Sequence, residues 1–266
     1  MSINKVNAYD VDSHIAEIYD TYWETGTADV EYLRGRLQEY AARRILEPFS
    51  GTGRILIPLA QDGYELVGMD QSVGMLGRAR MKIGQLPQEA QGRITLIKAD
   101  TTTDPWPTGF DVVLLGGNCF YELAAAEEQE GCIVSAAQAL RPGGYLFIDH
   151  DCMEGELDES RREPGSHGKP PYACADGTLV QLFGETVWFD APRRLWRSHR
   201  YVIATFPDGR VTMTDYIYQK HPVSAQETRD WLIKHGFVIH QFTDGISGPP
   251  WTSGDGRAAF WAQKEG

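Results

Sequence analysis

The turn E-P-F-S-G-T-G-R at residues 47–54 has the residue types that would let a backbone hold a ligand closely. Gly51 and Gly53 remove side chains from the turn, and the apolar spacing after them predicts that a helix begins there. The third glycine of the dinucleotide-binding motif G-x-G-x-x-G is missing, because Ile55 and Leu56 follow the turn. A dinucleotide pyrophosphate would therefore have less room here than that motif provides.

Two acidic residues stand where a nucleoside would need hydrogen-bond acceptors. Asp70 follows a predicted strand and lies 70 − 53 = 17 residues beyond Gly53, roughly the spacing at which an acidic residue meets ribose hydroxyls. Asp100, with Thr101 beside it, follows the next strand and suits an adenine amino group, which is a donor. Each aspartate alone could equally be a helix cap or a turn former. Their joint placement with the glycine turn favours a nucleoside site.

Further polar residues follow the fourth and fifth predicted strands, where a second molecule could react. Tyr121 and Glu122 lie after the fourth strand and are equally compatible with packing and with the start of a helix. His150, at the end of the fifth strand, is the titratable side chain best placed to act as a general base, because histidine changes charge near neutral pH. The alternative is a histidine that only bonds the backbone at a strand end.

The candidate residues lie at the ends of regularly alternating strands and helices. Apolar runs predict strands at 44–49, 66–70, 94–98, 111–115 and 145–149, with a tight turn at 141–144 before the last. Helical spacing predicts helices between them, including one opened by Ser72 and one over 124–140. Because crossovers between parallel strands place helices on both faces, the pattern predicts a doubly wound, mostly parallel α/β sheet. Ligands bind such sheets beyond the carboxyl ends of the strands.

The remaining segments flank or interrupt this sheet. Residues 1–41 predict two helices with a break at Gly26, and residues 178–189, 195–206 and 211–218 predict an antiparallel meander. A capping box at 224–227 opens another helix, and strands follow at 237–242 and 258–262. We therefore divide the chain into an N-terminal helical cap (1–42), a main domain (43–154 and 221–266) and an inserted antiparallel sheet (155–220). The insertion would serve as a substrate lid or as an oligomer contact.

Composition and charge exclude several classes of function. The 266 residues carry 25 Lys and Arg against 37 Asp and Glu, and the formal net charge of -12 opposes binding to nucleic acid. The four cysteines lack the spacing of a zinc site, and no run approaches the roughly 18 apolar residues that span a bilayer. We therefore expect a cytoplasmic protein with no metal, no nucleic-acid partner and no membrane anchor.

The glycine turn resembles the first motif of the class I S-adenosylmethionine (SAM)-dependent methyltransferases, and the match extends over residues 43–150. The resemblance implies SAM as the cofactor and a Rossmann-like, seven-stranded sheet whose last, antiparallel strand fits residues 258–262. It also implies that Glu47 fixes the turn or the methionine amino group of SAM, and that Asp70 holds the ribose. The other cofactor-binding residues that it implies are Gly51, Gly53, Gln71, Met75, Asp100, Thr101 and Gly116.

A narrower resemblance, to the glycine N-methyltransferase group, is carried by G-N-C-F at 117–120 and R-P-G-G-Y-L-F-I-D-H at 141–150. Members of that group have an arginine directly after the Asp-His pair, which holds the substrate carboxylate, whereas this chain has Asp151. A carboxylate there would repel an amino-acid carboxylate and attract a cation or hydroxyls. We therefore expect an amine or a neutral metabolite as the methyl acceptor, bound by Asn118, Glu122 and Asp151.

The family resemblance also gives the N-terminal aromatic residues a role, because this family usually covers its site with N-terminal helices. Tyr19, Tyr22 and Trp23 would form that lid or would simply pack between helices. Tyr22, Tyr121 and His150 are our candidate catalytic residues.

Together these features predict methylation of a nitrogen or oxygen atom of a small molecule, with nitrogen favoured. The inserted sheet would be a substrate lid or the contact of a homo-oligomer. Methyl transfer from a sulfonium mainly requires that the nucleophile is positioned and water is excluded. An NAD-dependent oxidoreductase is disfavoured by the missing third glycine. A catalytically silent SAM-binding module that acts as a partner or sensor would carry the same first motif and is the alternative.

Overall fold

Two β-sheets organise the part of the chain that the computed structural model describes, which is residues 9–10, 12–22, 27–154, 167–168, 170–252, 254 and 256–266. The strands are β1 (Arg44–Glu47), β2 (Glu65–Asp70), β3 (Ile94–Lys98), β4 (Phe110–Leu115), β5 (Leu140–Cys152), β6 (His167–Gly168), β7 (Tyr172–Ala173), β8 (Leu179–Asp190), β9 (Leu195–Thr205), β10 (Val211–Lys220), β11 (Phe237–Asp244) and β12 (Gly256–Lys264).

The larger sheet has seven strands in the order β11-β12-β5-β4-β1-β2-β3. The pairs among β1 to β5 are parallel, whereas β12 runs antiparallel to both β5 and β11. Ile45 of β1 lies between Leu66 of β2 and Val112 of β4, so buried apolar side chains of three neighbouring strands share one level. The predicted doubly wound, mostly parallel sheet with an antiparallel final strand is confirmed.

Helices cover both faces of this sheet. They are α1 (Ile15–Tyr22), α2 (Ala28–Glu39), α3 (Leu56–Gln61), α4 (Val73–Ile83), α5 (Gln88–Gln91), α6 (Ala126–Ala139) and α7 (Ala225–Lys234). Ser72 caps α4 by accepting a hydrogen bond from the Met75 amide, and Ser224 forms a capping box with Glu227 at the start of α7. Each of these caps satisfies amide groups that the first helical turn leaves without an internal partner.

Two apolar cores flank the larger sheet. One joins α6 and α7 to the face that carries Leu115 and Ile148. The other joins α2 and α3 to the opposite face through Val30, Leu33 and Leu37. The predicted cap over residues 1–42 therefore divides, because α2 packs into the core of the larger sheet and α1 does not. Gly26, the predicted break between the two helices, lies outside the described residues.

The smaller sheet is the predicted antiparallel insertion, with the order β10-β9-β8-β6 and with β7 paired to β8. Its inner face packs Val180, Val202 and Ala204 against Ile15 and Ile18 of α1. The long strands form from alternating and β-branched residues as the sequence predicted, whereas β6 and β7 were not predicted. The inserted sheet and α1 therefore share one small core.

The predicted tight turn at 141–144 is instead part of β5. Leu140 pairs with Phe110 and Tyr145 pairs with Val112, so four residues of β5 bulge opposite one residue of β4. Gly143 has a φ of +75°, which only glycine adopts without strain and which lets the chain bulge and rejoin the sheet. Within the described residues, the structure contains no helix that is both long and apolar enough to cross a membrane.

Candidate functional site

The candidate residues of four loops meet at the carboxyl edge of the larger sheet. Strand order reverses between β1 and β4, which is the position where open α/β sheets leave a crevice for a ligand. The loops after β1, β2 and β4 and the end of β5 border this crevice. The sequence placed its candidates at the same edge.

The glycine turn after β1 bends sharply back over the sheet. Gly51 has a φ of +52° and Gly53 a φ of +85°, so both occupy the left-handed region that other residues avoid. The Ser50 amide donates to the Met69 carbonyl at 2.9 Å, which ties the turn to β2. A Cβ atom added at Gly51 would lie 3.7 Å from the Met75 Cε atom. Met75 therefore packs under the turn that was expected to pass beside the cofactor.

Asp70 connects the glycine turn to the start of α4. Its Oδ2 atom accepts the Gly51 amide at 2.9 Å and its Oδ1 atom accepts the Ser72 amide at 2.8 Å. Burial raises the pKa of Asp70, while the backbone amides of Ser72, Gly51 and Gln71 favour its ionised form. An ionised carboxylate has about four lone-pair sites, so these amides leave acceptor capacity for a ligand hydroxyl. Gln71, beside it, is exposed.

Asp100 after β3 forms a local turn. Its Oδ1 atom accepts hydrogen bonds from the Thr102 amide at 3.0 Å and from the Thr102 hydroxyl at 2.7 Å. Thr101 is buried, and its carbonyl accepts the Trp106 indole N–H at 2.9 Å. The turn-forming alternative for Asp100 is thus what the structure shows, and its role at an adenine edge stays a prediction.

A charged pair closes the other side of the glycine turn. Glu47 at the end of β1 is buried, and Arg54 directly after the turn makes two hydrogen bonds to Asp29 near the start of α2, at 2.8 and 2.5 Å. Burial would lower the pKa of the Arg54 guanidinium, but Asp29 and Glu47 raise it, so the group stays charged. The pair holds α2 against the turn.

The loop after β4 is joined to β5 by a network of polar side chains. The Gly117 amide donates to Asp149 Oδ1 at 2.9 Å. Asn118 and Asp151 pair twice, through the Asn118 Nδ2 atom and Asp151 Oδ2 at 2.9 Å and through the Asp151 amide and Asn118 Oδ1 at 2.7 Å. Gly116 also lies beside Asp149. A Cβ atom added at Gly116 would be 3.5 Å from Asp149 Oδ1. Asn118 and Asp151, both expected to bind substrate, therefore lie together.

Arg257 of β12 completes this network, although the sequence offered no signal for it. Its Nε atom donates to Asp149 Oδ2 at 2.8 Å, and its Nη1 atom lies 3.2 Å from Asp151 Oδ1. Burial raises the pKa of Asp149, and Arg257 opposes that shift. The guanidinium therefore serves two carboxylates at once.

Lys220 of β10 provides a second cation at this edge. Its ammonium group pairs with Glu122 and lies 5.5 Å from the centre of the Tyr121 ring. Glu122 and Tyr121 are thus brought together after β4, beneath the end of the inserted sheet. The side chain of Tyr22, the third expected catalytic residue, lies outside the described part of the structure, as does Trp23.

His150 does not face the crevice. It is fully buried, its Nδ1 atom lies 2.7 Å from the Asp151 carbonyl oxygen, and its Nε2 atom lies 3.0 Å from the Thr228 hydroxyl of α7. Burial lowers its pKa to about 4. Successive residues of a strand point to opposite faces, so His150 points toward α7 while Asp149 and Asp151 point away from it. The arrangement is the backbone-bonding alternative, and we withdraw the general-base role.

Helix α1 bridges the two sides of the crevice. Asp20 pairs with Arg78 at 2.5 Å and with Lys82 at 3.0 Å, which ties α1 to α4. On its other side, Glu17 accepts the Ala175 amide at 2.7 Å in the inserted sheet. Ahead of α1, Asp10 accepts the Gly74 amide at 2.9 Å and the Ser72 hydroxyl at 2.5 Å, at the start of α4.

Part of the chain, including residues that border this crevice, is similar to known proteins. A family model described as a methyltransferase domain matches residues 49–146. Glycine N-methyltransferase of Rattus norvegicus is 28% identical over 169 residues, which cover 59% of this chain and 58% of that protein. The chain thus matches less than two thirds of the length of this relative. The family match at residues 49–146 includes Gly51, Gly53, Asp70, Asp100 and the loop after β4.

The chain contains a methyltransferase domain at residues 49–146.

Solved structures show the same fold over the whole chain. The sugar N-methyltransferase KedS8 from Streptoalloteichus is 19% identical, with a TM-score of 0.71 and coverage of 100% of this chain and 99% of that one. The SAM-bound amino pentose methyltransferase CalS10 from Micromonospora echinaspora is 18% identical, with a TM-score of 0.64 and coverage of 93% and 96%. At these identities the likeness shows the fold alone.

The residues at the crevice fit SAM, the cofactor that the family resemblance implies. A Cβ atom added at Gly53 would lie 3.1 Å from the Ile57 side chain, so this position of the turn has no room for a side chain. The turn can therefore present only its backbone to a ligand, and we call it the cradle. Asp70 places a half-buried acceptor at the end of β2, and the buried Met75 lines the turn with an apolar side chain. In the described residues, no group of three His, Cys, Asp or Glu side chains is arranged to hold a metal ion.

Sequence reasoning missed four residues of the methyltransferase site: Asp10, Asp29, Asp149 and Arg257. Asp149 stood beside His150 in the family-like segment and could have been found by asking which side of β5 each residue faces. Asp10, Asp29 and Arg257 reach the site from distant segments, and their spacing along the chain carries no signal of that contact.

Proposed function

We propose that the methyltransferase transfers the methyl group of SAM to the amine nitrogen of a small-molecule acceptor that lacks a carboxylate beside that nitrogen. SAM supplies a methyl group that already carries its activating charge on sulfur. The C–S bond breaks as the C–N bond forms, which yields S-adenosylhomocysteine (SAH) and a methylated ammonium that then loses its proton. The protein's own residues have to bind, orient and shield the reactants.

The charge balance beside the loop after β4 carries the proposal. Three carboxylates lie there, those of Glu122, Asp149 and Asp151, against two cations, Lys220 and Arg257. The balance is 2 − 3 = −1, so one negative charge is left over within this group. The side chain of Asp151 is 54% exposed, so its charge can meet an incoming molecule. Such a surface attracts an ammonium group and repels a carboxylate.

The position of His150 favours nitrogen over oxygen as the attacking atom. A hydroxyl acceptor needs a base to remove its proton during attack, whereas an amine reacts once it has lost its proton to solvent. Both ring nitrogens of His150 are occupied inside the protein, and its lowered pKa of about 4 makes it a weak base. Of the other candidates, Tyr121 and Glu122 are engaged with Lys220, and the side chain of Tyr22 lies outside the described part of the structure.

The cofactor-binding roles follow the geometry of the first two loops. We assign Gly51 and Gly53 to the backbone cradle, Asp70 to the ribose and Met75 with Gln71 to the faces of the adenine. Glu47 is assigned to the turn or the methionine amino group, and Asp100 with Thr101 to the adenine edge. Gly116 continues the crevice toward the acceptor, where Asn118, Glu122 and Asp151 shape the pocket.

Named activities of similar proteins support nitrogen. The relative from Rattus norvegicus is a glycine N-methyltransferase, and KedS8 is a sugar N-methyltransferase. Glycine itself is disfavoured in this chain, because Asp151 follows the Asp-His pair and the nearest cation, Arg257, already serves two carboxylates. An amino sugar or a simple amine fits the surplus negative charge better.

The test is calorimetric titration with SAM and SAH, followed by an acceptor screen on the same protein. The panel contains matched pairs: an amino sugar and its parent sugar, and glycine and methylamine. We expect cofactor binding, methylation of the amino sugar but not of its parent sugar, and preference for methylamine over glycine. Methylation of hydroxyls or a preference for glycine would contradict the proposal. Cofactor binding without turnover of any pair would instead support a silent SAM-binding module.

A further inference from the structure

We propose that Arg257 is a positioning residue that sets the shape of the acceptor pocket by holding the loop after β4. The inference rests on the proposed function, because it concerns the acceptor of that reaction. Arg257 pairs with Asp151 in the register of β12 and β5. Its guanidinium bonds Asp149 through Nε at 2.8 Å and through a second nitrogen, and it reaches Asp151 at 3.2 Å. One side chain thus spans two carboxylates on the same face of β5.

Asp149 carries the effect of Arg257 to the loop. This carboxyl group is 4% exposed, and its other oxygen accepts the Gly117 amide at 2.9 Å. A buried carboxylate without a cation is costly, so the ionised form of Asp149 depends on Arg257. The Gly117 amide in turn depends on the position of that oxygen, which the pairing with Arg257 fixes.

Asn118 is held through the second carboxylate. Its φ of +67° lies in the left-handed region, directly after Gly117, whose φ is also +67°. Gly117 adopts this conformation without strain, whereas Asn118, which has a side chain, needs outside support because the conformation costs free energy. The two hydrogen bonds with Asp151, at 2.9 and 2.7 Å, provide that support, and Arg257 fixes the Asp151 carboxylate from the other side.

Arg54 limits the loop from the opposite side. A side chain at Gly117 would come within 3.4 Å of the Arg54 guanidinium, which is itself bound to Asp29. The loop therefore lies between two arginine–aspartate pairs, one from the cofactor turn and one from β12. Loss of the Arg257 pair would let the loop move on its acceptor side, toward Tyr121 and Glu122.

The cofactor turn is outside the reach of this effect. Among the described residues, no hydrogen bond joins Arg257 to Gly51, Gly53 or Asp70. Removal of the guanidinium is therefore expected to change acceptor kinetics and leave cofactor affinity alone. That separation distinguishes a positioning role from a general loss of folding.

The first experiment compares Arg257→Gln with the wild type in the holoenzyme. We expect SAH affinity by calorimetry to stay within about twofold, and kcat/KM for the best amine of the panel to fall by about tenfold to a hundredfold, mainly through KM. The matched control is Arg141→Gln, which removes the Arg141–Asp111 pair at the opposite edge of the same sheet and should leave both quantities unchanged. An equal loss of SAH affinity in Arg257→Gln would overturn the proposal.

The second experiment asks whether Arg257 acts through Asp149. Without the guanidinium the pKa of Asp149 rises further above the unfolded value of about 3.9. A carboxyl group with a raised folded pKa loses stability as pH rises, so the Tm deficit of Arg257→Gln should widen from about pH 5 to about pH 8.

Adding Asp149→Asn should restore the Tm at the higher pH and recover part of the acceptor kcat/KM, because an amide oxygen still accepts the Gly117 amide. A double variant as poor as Arg257→Gln in both measurements would show that Arg257 does not act through Asp149. If the wild type methylates no member of the panel, the proposed function fails. The pH-dependent Tm then still decides whether the Arg257–Asp149 pair exists.

Discussion

Single carboxylates at this site do two tasks at once. Asp70 accepts amides from the glycine turn and from the start of α4, and it keeps acceptor capacity toward the crevice. Asp149 in the same way accepts a loop amide while it pairs with Arg257. Substitution of either residue therefore affects both local structure and the ligand that the loop surrounds.

Asp70→Ala should weaken SAH binding by about 1–3 kcal/mol, because a charged acceptor for the ribose is lost in a buried site. Calorimetric titration measures the change, and Asp62→Ala is the control, since Asp62 pairs with Arg34 at the surface away from the crevice. Unchanged affinity in a folded Asp70→Ala protein would remove the ribose role.

We expect the titration of His150 to change the free energy of unfolding with pH, and not to take part in catalysis. Its folded pKa of about 4 lies below the unfolded value of about 6.5, so the unfolded chain takes up a proton first as pH falls. The stability that His150 contributes is thus complete above about pH 6.5 and is lost toward about pH 4, with an upper limit of about 3 kcal/mol.

Chemical denaturation of the wild type and His150→Gln at several pH values measures this contribution. The variant should lose less stability than the wild type on acidification. Parallel losses in the two proteins would show that His150 does not titrate as its burial implies.

At the scale of elements, the glycine turn joins β1 to α3 through a backbone path that side chains would obstruct. Gly53→Ala should reduce SAH affinity about tenfold or more, because the added methyl group meets Ile57 at 3.1 Å and the φ of +85° resists any L residue. Gly63→Ala is the matched control. Gly63 has a φ of +103° but open space around it, so its substitution should lower Tm and leave SAH affinity unchanged. Equal affinity losses would contradict the cradle.

Periodicity was enough to predict the long elements, because each of them buries one apolar face. Several elements lie within a few residues of their predicted bounds. They are the strands that end at Asp70 and Lys98, the helix that Ser72 caps, and the three long strands of the insertion. The bulge in β5 was read as a turn, since Pro142 and the two following glycines are typical of both. The two-residue strands β6 and β7 are too short to leave any periodic pattern.

The site was predictable where it depended on strand ends and not where it depended on contacts between distant segments. Asp70, Gly51 and Asn118 follow strands, so the fold class alone brings them to one edge. Arg257 meets Asp149 across two antiparallel strands, and only the register of β5 and β12 puts them together. His150 was misassigned because alternation along β5 sends it to the face opposite Asp149.

At the scale of the whole molecule, the outer face of the inserted sheet carries exposed apolar side chains on both sides of the His199–Asp215 pair. Leu179, Val211, Met213 and Ile217 lie there, with Met213 66% exposed, and β10 is an edge strand among the described residues. Exposed apolar edges of this kind favour association, and we propose a second copy of this chain as the occupant, since the same face then covers itself.

Met213→Glu should convert a dimer into a monomer in sedimentation experiments while SAH affinity persists. Val238→Glu is the control, because Val238 is 47% exposed on β11 of the other sheet and should leave the dimer unchanged. A wild-type protein that is monomeric at all accessible concentrations would refute self-association through this face.

The bridge that α1 forms also connects the cofactor side of the crevice to the inserted sheet. Asp20 holds α1 to α4 beside the cofactor turn, and Glu17 holds it to the turn between β7 and β8 of the inserted sheet. If spent cofactor leaves past α1, the two attachments loosen together, and the inserted sheet, whose Lys220 pairs with Glu122, is released from α4 in the same movement. Each exchange of SAH for SAM then gives the methylated product an exit. An amine that receives two methyl groups would accordingly pass through free solution between them, and its monomethyl form should accumulate early in a time course.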